Sequence, residues 1–465
     1  MTDTELELPQ GWVKQAFDLC ISNIIGGDWG SPVKEEIDND FVKVQVLRST
    51  ELKNWKMEKG STAESRIIKK SSLEKRQLHN GDIILEVSGG GTKFPVGRSV
   101  LITTSIMDNF SVPIICSNFF RKITLSQFLD PMYASNFLDY YYGSGETIKF
   151  KNQSVNIQNL KTKEYLSALS IPIPPLNEQK RIVSKIEELF LNIDSAKQSL
   201  GHTKLKLDNY RDSLLKFAFE GKLTENWRQN NPTKNYVNAE FKNLPKTWKI
   251  VELQEISKII DSLHVTPKYE SEGIFMVRST EIKFGNLNLK SALLVSKEIY
   301  EKFTRNYKPK RNDIVMSRVG TYFVTSFVNT DEIFCMGQNT LVIHPLINPK
   351  FLYNNLNSVF VEKQIQEKLV GSSGQKTISL KNIRGLLISL PPLEEQEQIV
   401  SQIEQGFSFI ENTTQMVNSS LEKLQTMKTP IFKQAFGGKL VPQDHSDESA
   451  EKLLERIKVK KSKIL

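Results

Sequence analysis

The stretch Pro174-Pro175-Leu176-Asn177-Glu178-Gln179-Lys180-Arg181-Ile182-Val183 occurs twice. It returns as Pro391-Pro392-Leu393-Glu394-Glu395-Gln396-Glu397-Gln398-Ile399-Val400, an offset of 217 residues. The same offset relates Ala218-Phe219-Glu220-Gly221-Lys222-Leu223 to Ala435-Phe436-Gly437-Gly438-Lys439-Leu440. One element is therefore present in two copies of equal length, and such self-similarity is the first property to settle in a sequence.

Between these ends the spacing predicts a long helix in each copy. Ile182, Ile186, Leu189, Ile193, Ala196, Leu200, Thr203, Leu207, Tyr210, Leu214 and Phe217 fall at alternating steps of four and three. The second copy gives Ile399, Ile403, Gly406, Ile410, Thr413, Val417, Ser420, Leu424, Met427, Ile431 and Gln434 at the same steps. That is the heptad seam of a coiled coil. The prolines stand at the helix start, where a missing N–H costs least. Glu178 and Glu395 lie in the first turn, where the helix dipole favours negative charge. Gly221 and Gly437-Gly438 suit the C-terminal cap. Pro430 falls inside the second helix and is expected to break its hydrogen-bond ladder; its counterpart Ser213 is not. Small residues at Ala196, Thr203, Thr413 and Ser420 would let a partner helix come close. A helix of about 44 residues runs to about 65 Å. A seam alone also fits an intermolecular coiled coil, but two equal copies in one chain make each the natural partner of the other.

A second set of matches precedes each helix. Leu8-Pro9-Gln10-Gly11-Trp12 is echoed by Leu244-Pro245-Lys246-Thr247-Trp248, Arg48-Ser49-Thr50-Glu51 by Arg278-Ser279-Thr280-Glu281, and Gly81-Asp82-Ile83-Ile84 by Asn312-Asp313-Ile314-Val315. These offsets are 236, 230 and 231 residues, so this unit has changed length where the helix has not. The layout is a variable domain (1–170), a helix (171–222), a second variable domain (223–390, of which 223–243 is a polar linker), a second helix (391–441) and a tail (442–465) with a short helix over Ser449–Lys458. Period-two or apolar runs at Phe41–Val46, Asp82–Val87, Ile274–Val277, Asp313–Met316 and Thr340–His344 predict strands, so the fold class is α+β. Sheet order does not follow from the pattern.

The bulk numbers narrow the function. A chain of 465 residues exceeds one ordinary core. No run of about 18 apolar residues suggests a membrane span, and the acidic start Met1-Thr2-Asp3-Thr4-Glu5 leads into no apolar segment, so no secretory signal is expected. Three scattered cysteines, Cys20, Cys116 and Cys335, fit a reducing compartment and offer no zinc spacing. Residues 1–170 carry equal numbers of basic and acidic side chains. Residues 222–390 hold 24 Lys and Arg against 15 Asp and Glu, the whole of the chain's net charge of +9. A basic segment suggests a polyanionic partner, and serves equally as a solubilising surface. No chemistry stands out. Gly371-Ser372-Ser373-Gly374-Gln375-Lys376-Thr377 misses the phosphate-loop pattern, because Gln375 separates glycine from lysine. Asn231-Pro232 and Asn348-Pro349 lack the rest of an adenine-methyltransferase motif.

Several loops carry residues suited to nucleic acid. Ser88 opens a glycine run to Lys93, with Arg98 beyond, which offers backbone amides and cations to phosphates. The matching place in the second domain holds Arg318 and Tyr322. An arginine there can grip a guanine edge, and Gln338 and Asn339 have the side chains suited to adenine. Gln375 and Lys376 join this set. Each has a plain structural alternative in a glycine turn, a surface cation or a buried ion pair. Arg48 and Arg278, being alike in both copies, fit a structural role better than the reading of two different sequences.

The paired Pro-Pro-Leu-x-Glu-Gln helices, the Gly-Ser-Ser-Gly-Gln-Lys-Thr-Ile-Ser segment at 371–379, the Ala-Phe-x-Gly-Lys-Leu ends and Leu453-Leu454-Glu455-Arg456-Ile457 together resemble the specificity subunits of Type I restriction-modification systems, over nearly the whole chain. The first copy of that segment, Gly143-Ser144-Gly145-Glu146-Thr147-Ile148, departs from the pattern of 371–379. The resemblance implies two globular target-recognition domains separated by two long helices that pair as an antiparallel intramolecular coiled coil. It implies a non-catalytic, DNA-binding subunit in which each domain reads one half of a bipartite double-stranded DNA target. Its expected partners are two methyltransferase subunits modifying adenine N6 and two nuclease-motor subunits. S-adenosylmethionine, ATP and Mg would belong to those partners, and no cofactor to this chain. The setting would be the cytoplasm of a bacterium or archaeon.

Overall fold

A computed structural model describes residues 8–89, 94–153, 158–234, 244–319, 324–368 and 378–462. The chain divides into two compact units, one of Met1–Ser199 with Ser420–Leu465 and one of Leu200–Ser419. Each holds one α+β domain and a half of both long helices.

The first long helix is continuous over Leu176–Phe219, 44 residues. The second runs over Leu393–Thr426, stops at Met427 and resumes over Lys428–Phe436. Pro430 explains the interruption: it has no N–H to give the carbonyl one turn back. In the first unit the Phe190 and Phe432 rings meet edge to face at 5.3 Å, and Ile182, Ile186 and Ile193 share a core with Ile431, Ala435 and Phe436. In the second unit Tyr210 faces Phe409, Arg211 lies over Phe407 and Leu214 abuts Gly406. Numbers rise along one helix as they fall along the other, so the pairing is antiparallel. The helices come close at Gly406, where a Cβ would stand 2.4 Å from Leu214 Cδ2.

Of the seam, Ile182, Ile186, Ile193, Leu207, Leu214, Ile399, Ile403, Val417 and Ile431 are buried; Leu189, Leu200, Ile410 and Leu424 are half-buried. Tyr210, Phe217 and Met427, expected on the seam, are exposed. A helix of 3.6 residues per turn drifts about 20° per heptad away from a strict seven-residue repeat, which turns such positions outward.

The two domains repeat a topology that the pattern of residues did not disclose. In the first, an antiparallel sheet has the order Ile21–Gly26, Phe120–Leu125, Ile83–Glu86, Ser99–Leu101. In the second the order is Ser257–Asp261, Thr340–Pro345, Ile314–Ser317, Thr325–Phe327. Beside it each domain has a sheet ending in one parallel pair, Phe41–Leu47 with Ile114–Cys116 and Ile274–Val277 with Phe334–Met336. A two-strand ribbon closes each domain: Val13–Ala16 with Ser170–Ile173, and Lys249–Glu252 with Leu387–Leu390. The five predicted strands are present with ends shifted by one residue at most. The short terminal helix spans Ala450–Ser462. No helix among the described residues is long and apolar enough to cross a membrane.

Candidate nucleic-acid interface

The framework under the candidate loops is built from the repeated motifs. Trp12 donates its indole N–H to Glu178 Oε2 at 3.1 Å, and Trp248 donates to Glu395 Oε2 at 3.0 Å. All four side chains are buried. The glutamine that follows does a second job. Gln179 Oε1 accepts from the amide of Asp130, the N-cap of helix Pro131–Gly143, and Gln396 Oε1 accepts from the amide of Asn348, the N-cap of helix Pro349–Leu356. The Leu-Pro-x-x-Trp and Pro-Pro-Leu-x-Glu-Gln repeats are thus two halves of one joint, which fastens each domain to the start of the helix that follows it. The Asn348-Pro349 pair is a cap and a first helical residue.

The other repeats are structural too. Arg48 chelates Glu51 at 2.7 Å, and Arg278 chelates Glu281 at 2.7 Å. Burial works against ionising Glu281, but hydrogen bonds from Arg278 and Thr280 outweigh it and hold its carboxyl below the usual range. Gly81 (φ +93°) and Asn312 (φ +71°) occupy the same left-handed turn. The next residue in each, Asp82 or Asp313, is buried and accepts a backbone amide at 2.8 Å, from His79 and Lys310 respectively.

Strand register defines equivalent positions above this framework. Ile83 faces Ile123 as Ile314 faces Ile343, and Ile24 faces Ile123 as Ile259 faces Ile343. One end of each sheet therefore gathers the same three loops. In the first domain Val87 and Ser88 donate their amides to the Phe119 carbonyl. In the second, Arg318 donates its amide to the Asn339 carbonyl at 2.8 Å.

The candidate residues fall unevenly on this surface. Ser88 is half-buried and donates to Asn159 Oδ1 at 2.7 Å. Arg98 is held by the buried carboxylate of Glu86 in two bonds of 2.6 and 2.8 Å. Arg318 is held by Asp261 at 2.8 Å. Gln338 and Asn339 form the turn beside Arg318, Asn339 in the left-handed region at φ +58°. Lys93, Tyr322, Gln375 and Lys376 lie outside the described residues. Two groups were missed from sequence. Asp261 lies 57 residues from Arg318 and only strand pairing brings it near. Trp29 is exposed on a loop fixed by Asp28, with Arg66 stacked on its ring at 4.6 Å. Among the described residues no group of three or more His, Cys, Asp or Glu gathers to hold a metal.

The family model described as Type I restriction modification DNA specificity domain matches this chain twice, over residues 31–201 and 245–423. The chain belongs to the Type I restriction-modification specificity family. Within that family, the EcoBI specificity subunit of Escherichia coli is 30% identical over 334 residues, 68% of this chain and 69% of that protein. The EcoKI specificity subunit of Escherichia coli strain K12 is 25% identical over 478 residues, 98% of this chain and 97% of that one. The fold is that of the HsdS subunit of Thermoanaerobacter tengcongensis, with a TM-score of 0.62 at 18% identity, covering 94% of this chain and 100% of the other. As a member of the specificity family the chain is a recognition component and not itself a catalyst.

Proposed function

We propose that the loops at the sheet end of each domain bind one half of a two-part double-stranded DNA target. The chain then directs two methyltransferase subunits, acting on adenine N6, and two nuclease-motor subunits to that target. One observation carries this reading: the two domains share buried framework residues but differ where they face outward, as two readers of different half-sites must. The charge excess of residues 222–390 adds a sequence-independent attraction to phosphates. Residues 1–170 and 223–390 act as the reading domains, and 171–222 and 391–441 as the helices that space them and seat the methyltransferases. S-adenosylmethionine, ATP and Mg bind to the partner subunits, and the complex works in the cytoplasm. Ser88, Lys93, Arg98, Arg318, Tyr322, Gln338, Asn339, Gln375 and Lys376 supply the surface from which DNA contacts come.

Methylome sequencing of a host carrying this chain and its methyltransferase tests the proposal. The expected result is N6-methyladenine in one bipartite motif, and no methylation by the chain alone with S-adenosylmethionine. A continuous motif, no motif, or methylation by the isolated chain would refute it.

A further inference from the structure

The corner where strand Ser257–Asp261, strand Ile314–Ser317 and the turn at Gln338–Asn339 meet holds an arginine in an unusual state. Arg318 Nη1 sits 2.8 and 2.9 Å from the two oxygens of Asp261, and its Nε faces the Ile378 carbonyl at 3.4 Å. Its own amide is tied to Asn339. Nη2 has no hydrogen-bond partner among the described residues, although only 16% of the side chain is exposed. Nη2 is not among the side-chain atoms buried without a partner, so it is open to the surface while the rest of the group is held. The inner side of the guanidinium is fixed, and its outer amino group is kept for an acceptor that arrives from outside.

The chemistry of that acceptor follows from Asp261. A phosphate is attracted mainly by net charge, and the carboxylate beside Arg318 offsets most of it. A base edge is read by the direction of donors, and the Nη2 amino group, held in one direction, can donate to the O6 or N7 acceptor of a guanine. His264, exposed and 3.3 Å from Asp261 Oδ2, is the other group on that carboxylate.

The first domain supplies an internal comparison. By register, Gly26 stands where Asp261 does, and Val87 where Arg318 does. Two guanidinium groups stand at that corner: Arg121, which lies over Gly26, where a Cβ would be 3.2 Å from its Nη1, and Arg76, whose Nε donates to the Gly26 carbonyl at 3.0 Å. Frame and register are shared, while the side chains at the corner are exchanged. A shared frame that carries different side chains at this corner is what a specificity-determining position requires.

We propose that Arg318 reads a guanine in the half-site bound by the second domain, and that Asp261 is its positioning residue. This rests on the DNA-binding reading above. The test is methylome sequencing of the chain with its methyltransferase, for wild type, Arg318→Ala, Arg318→Lys, Asp261→Asn and Asp261→Ala, with binding titrations against salt on matched and mismatched duplexes. The wild-type motif is expected to contain a fixed G·C pair that Arg318→Ala opens to other bases, with discrimination there falling roughly 5- to 150-fold. Asp261→Asn and Asp261→Ala should relax the same position to a lesser extent. Arg318→Lys should not restore it, since an ammonium has no planar group for Asp261 to fix in one direction. All other motif positions should stay fixed. A uniform loss of methylation with the motif unchanged, and a salt slope lowered by about one, would mark a phosphate contact and overturn the proposal. So would uniform loss without a change in slope, an unchanged motif in all variants, or a wild-type motif with no fixed G·C pair. A wild type without any bipartite motif would instead refute the DNA-binding reading itself.

Discussion

Glu178 and Glu395 occupy equivalent places, yet unequal consequences are expected when each is made neutral. Glu395 is fully buried and accepts from Trp248, from Thr224 Oγ1 at 2.7 Å and from Arg228 Nη1 at 2.6 Å. Glu178 is as deeply buried and accepts from Trp12, but its Oε1 has no hydrogen-bond partner. The nearby Arg181 is taken by Asp447 at 2.7 Å. Burial therefore pushes the Glu178 carboxyl up, with Trp12 and Arg181 only partly offsetting it. Removing one partner of a buried ion pair costs about 3–5 kcal/mol. A glutamine at 395 still accepts from the indole, so Glu395→Gln should cost about 2–4 kcal/mol. That is a fall in Tm of roughly 4–16 °C for a unit of this size. Glu178→Gln keeps the bond to Trp12 and removes a charge that burial penalises, so it should lie within about 1 kcal/mol of wild type. The pH dependence follows. A carboxyl raised in the folded state stabilises most when protonated, and that contribution is lost as pH rises through the folded value. Glu178→Gln should therefore compare best with wild type near neutrality and less well in acid. Thermal unfolding of the three proteins, at neutral pH and about pH 5, decides it. Equal losses in both variants, or a larger loss for Glu178→Gln, would refute the reasoning.

Gly221→Ala and Gly438→Ala should each cost about 2 kcal/mol or more, read as Tm. An added Cβ would stand 2.2 Å from Pro245 Cγ and 2.1 Å from Pro9 Cγ, at φ +74° and +65°. Gly406→Val should cost about 1–3 kcal/mol through its clash with Leu214. Much of that loss should return in the double variant Gly406→Val with Leu214→Ala, and independent, additive losses would show that the two helices do not touch there. Arg278→Ala should flatten the acid limb of stability. The lowered carboxyl of Glu281 contributes above its ordinary value of 4.5, and that contribution is lost as pH falls through the folded value. An unaltered acid limb in melts between about pH 6 and pH 3 would contradict this.

The helices were legible because a seam of large apolar residues repeated without interruption, and a proline inside it foretold the break at Met427. The strands at Ile274–Val277 and Thr340–Pro345 were legible from runs of apolar and β-branched residues. Sheet order was not, since it depends on which runs pair and no local pattern encodes that. Glu178 was read as a first-turn acid balancing the helix dipole, which is true of its place but omits its main role. Its partner Trp12 is 166 residues away. The available signal was that Trp12 and Trp248 recur together with Glu178 and Glu395, once per copy. Arg98 could have been matched to Glu86 by pairing the strands on either side of the glycine run. Asp261 could not have been matched to Arg318, because their meeting depends on an intervening strand from a third stretch of sequence.

The Trp–Glu and cap–Gln bonds make each recognition domain a cassette with standard fittings. A domain brings the tryptophan and the N-cap; the helix supplies the glutamate and the glutamine. Thr224 and Arg228, which complete the bonding of Glu395, come from the segment after the first helix and stay behind when a domain is exchanged. A domain could then be replaced between its Leu-Pro-x-x-Trp and Pro-Pro-Leu-x-Glu-Gln boundaries without rebuilding either joint. Such a replacement would renew the outward-facing loops of one domain while the helices and both joints stay as they are.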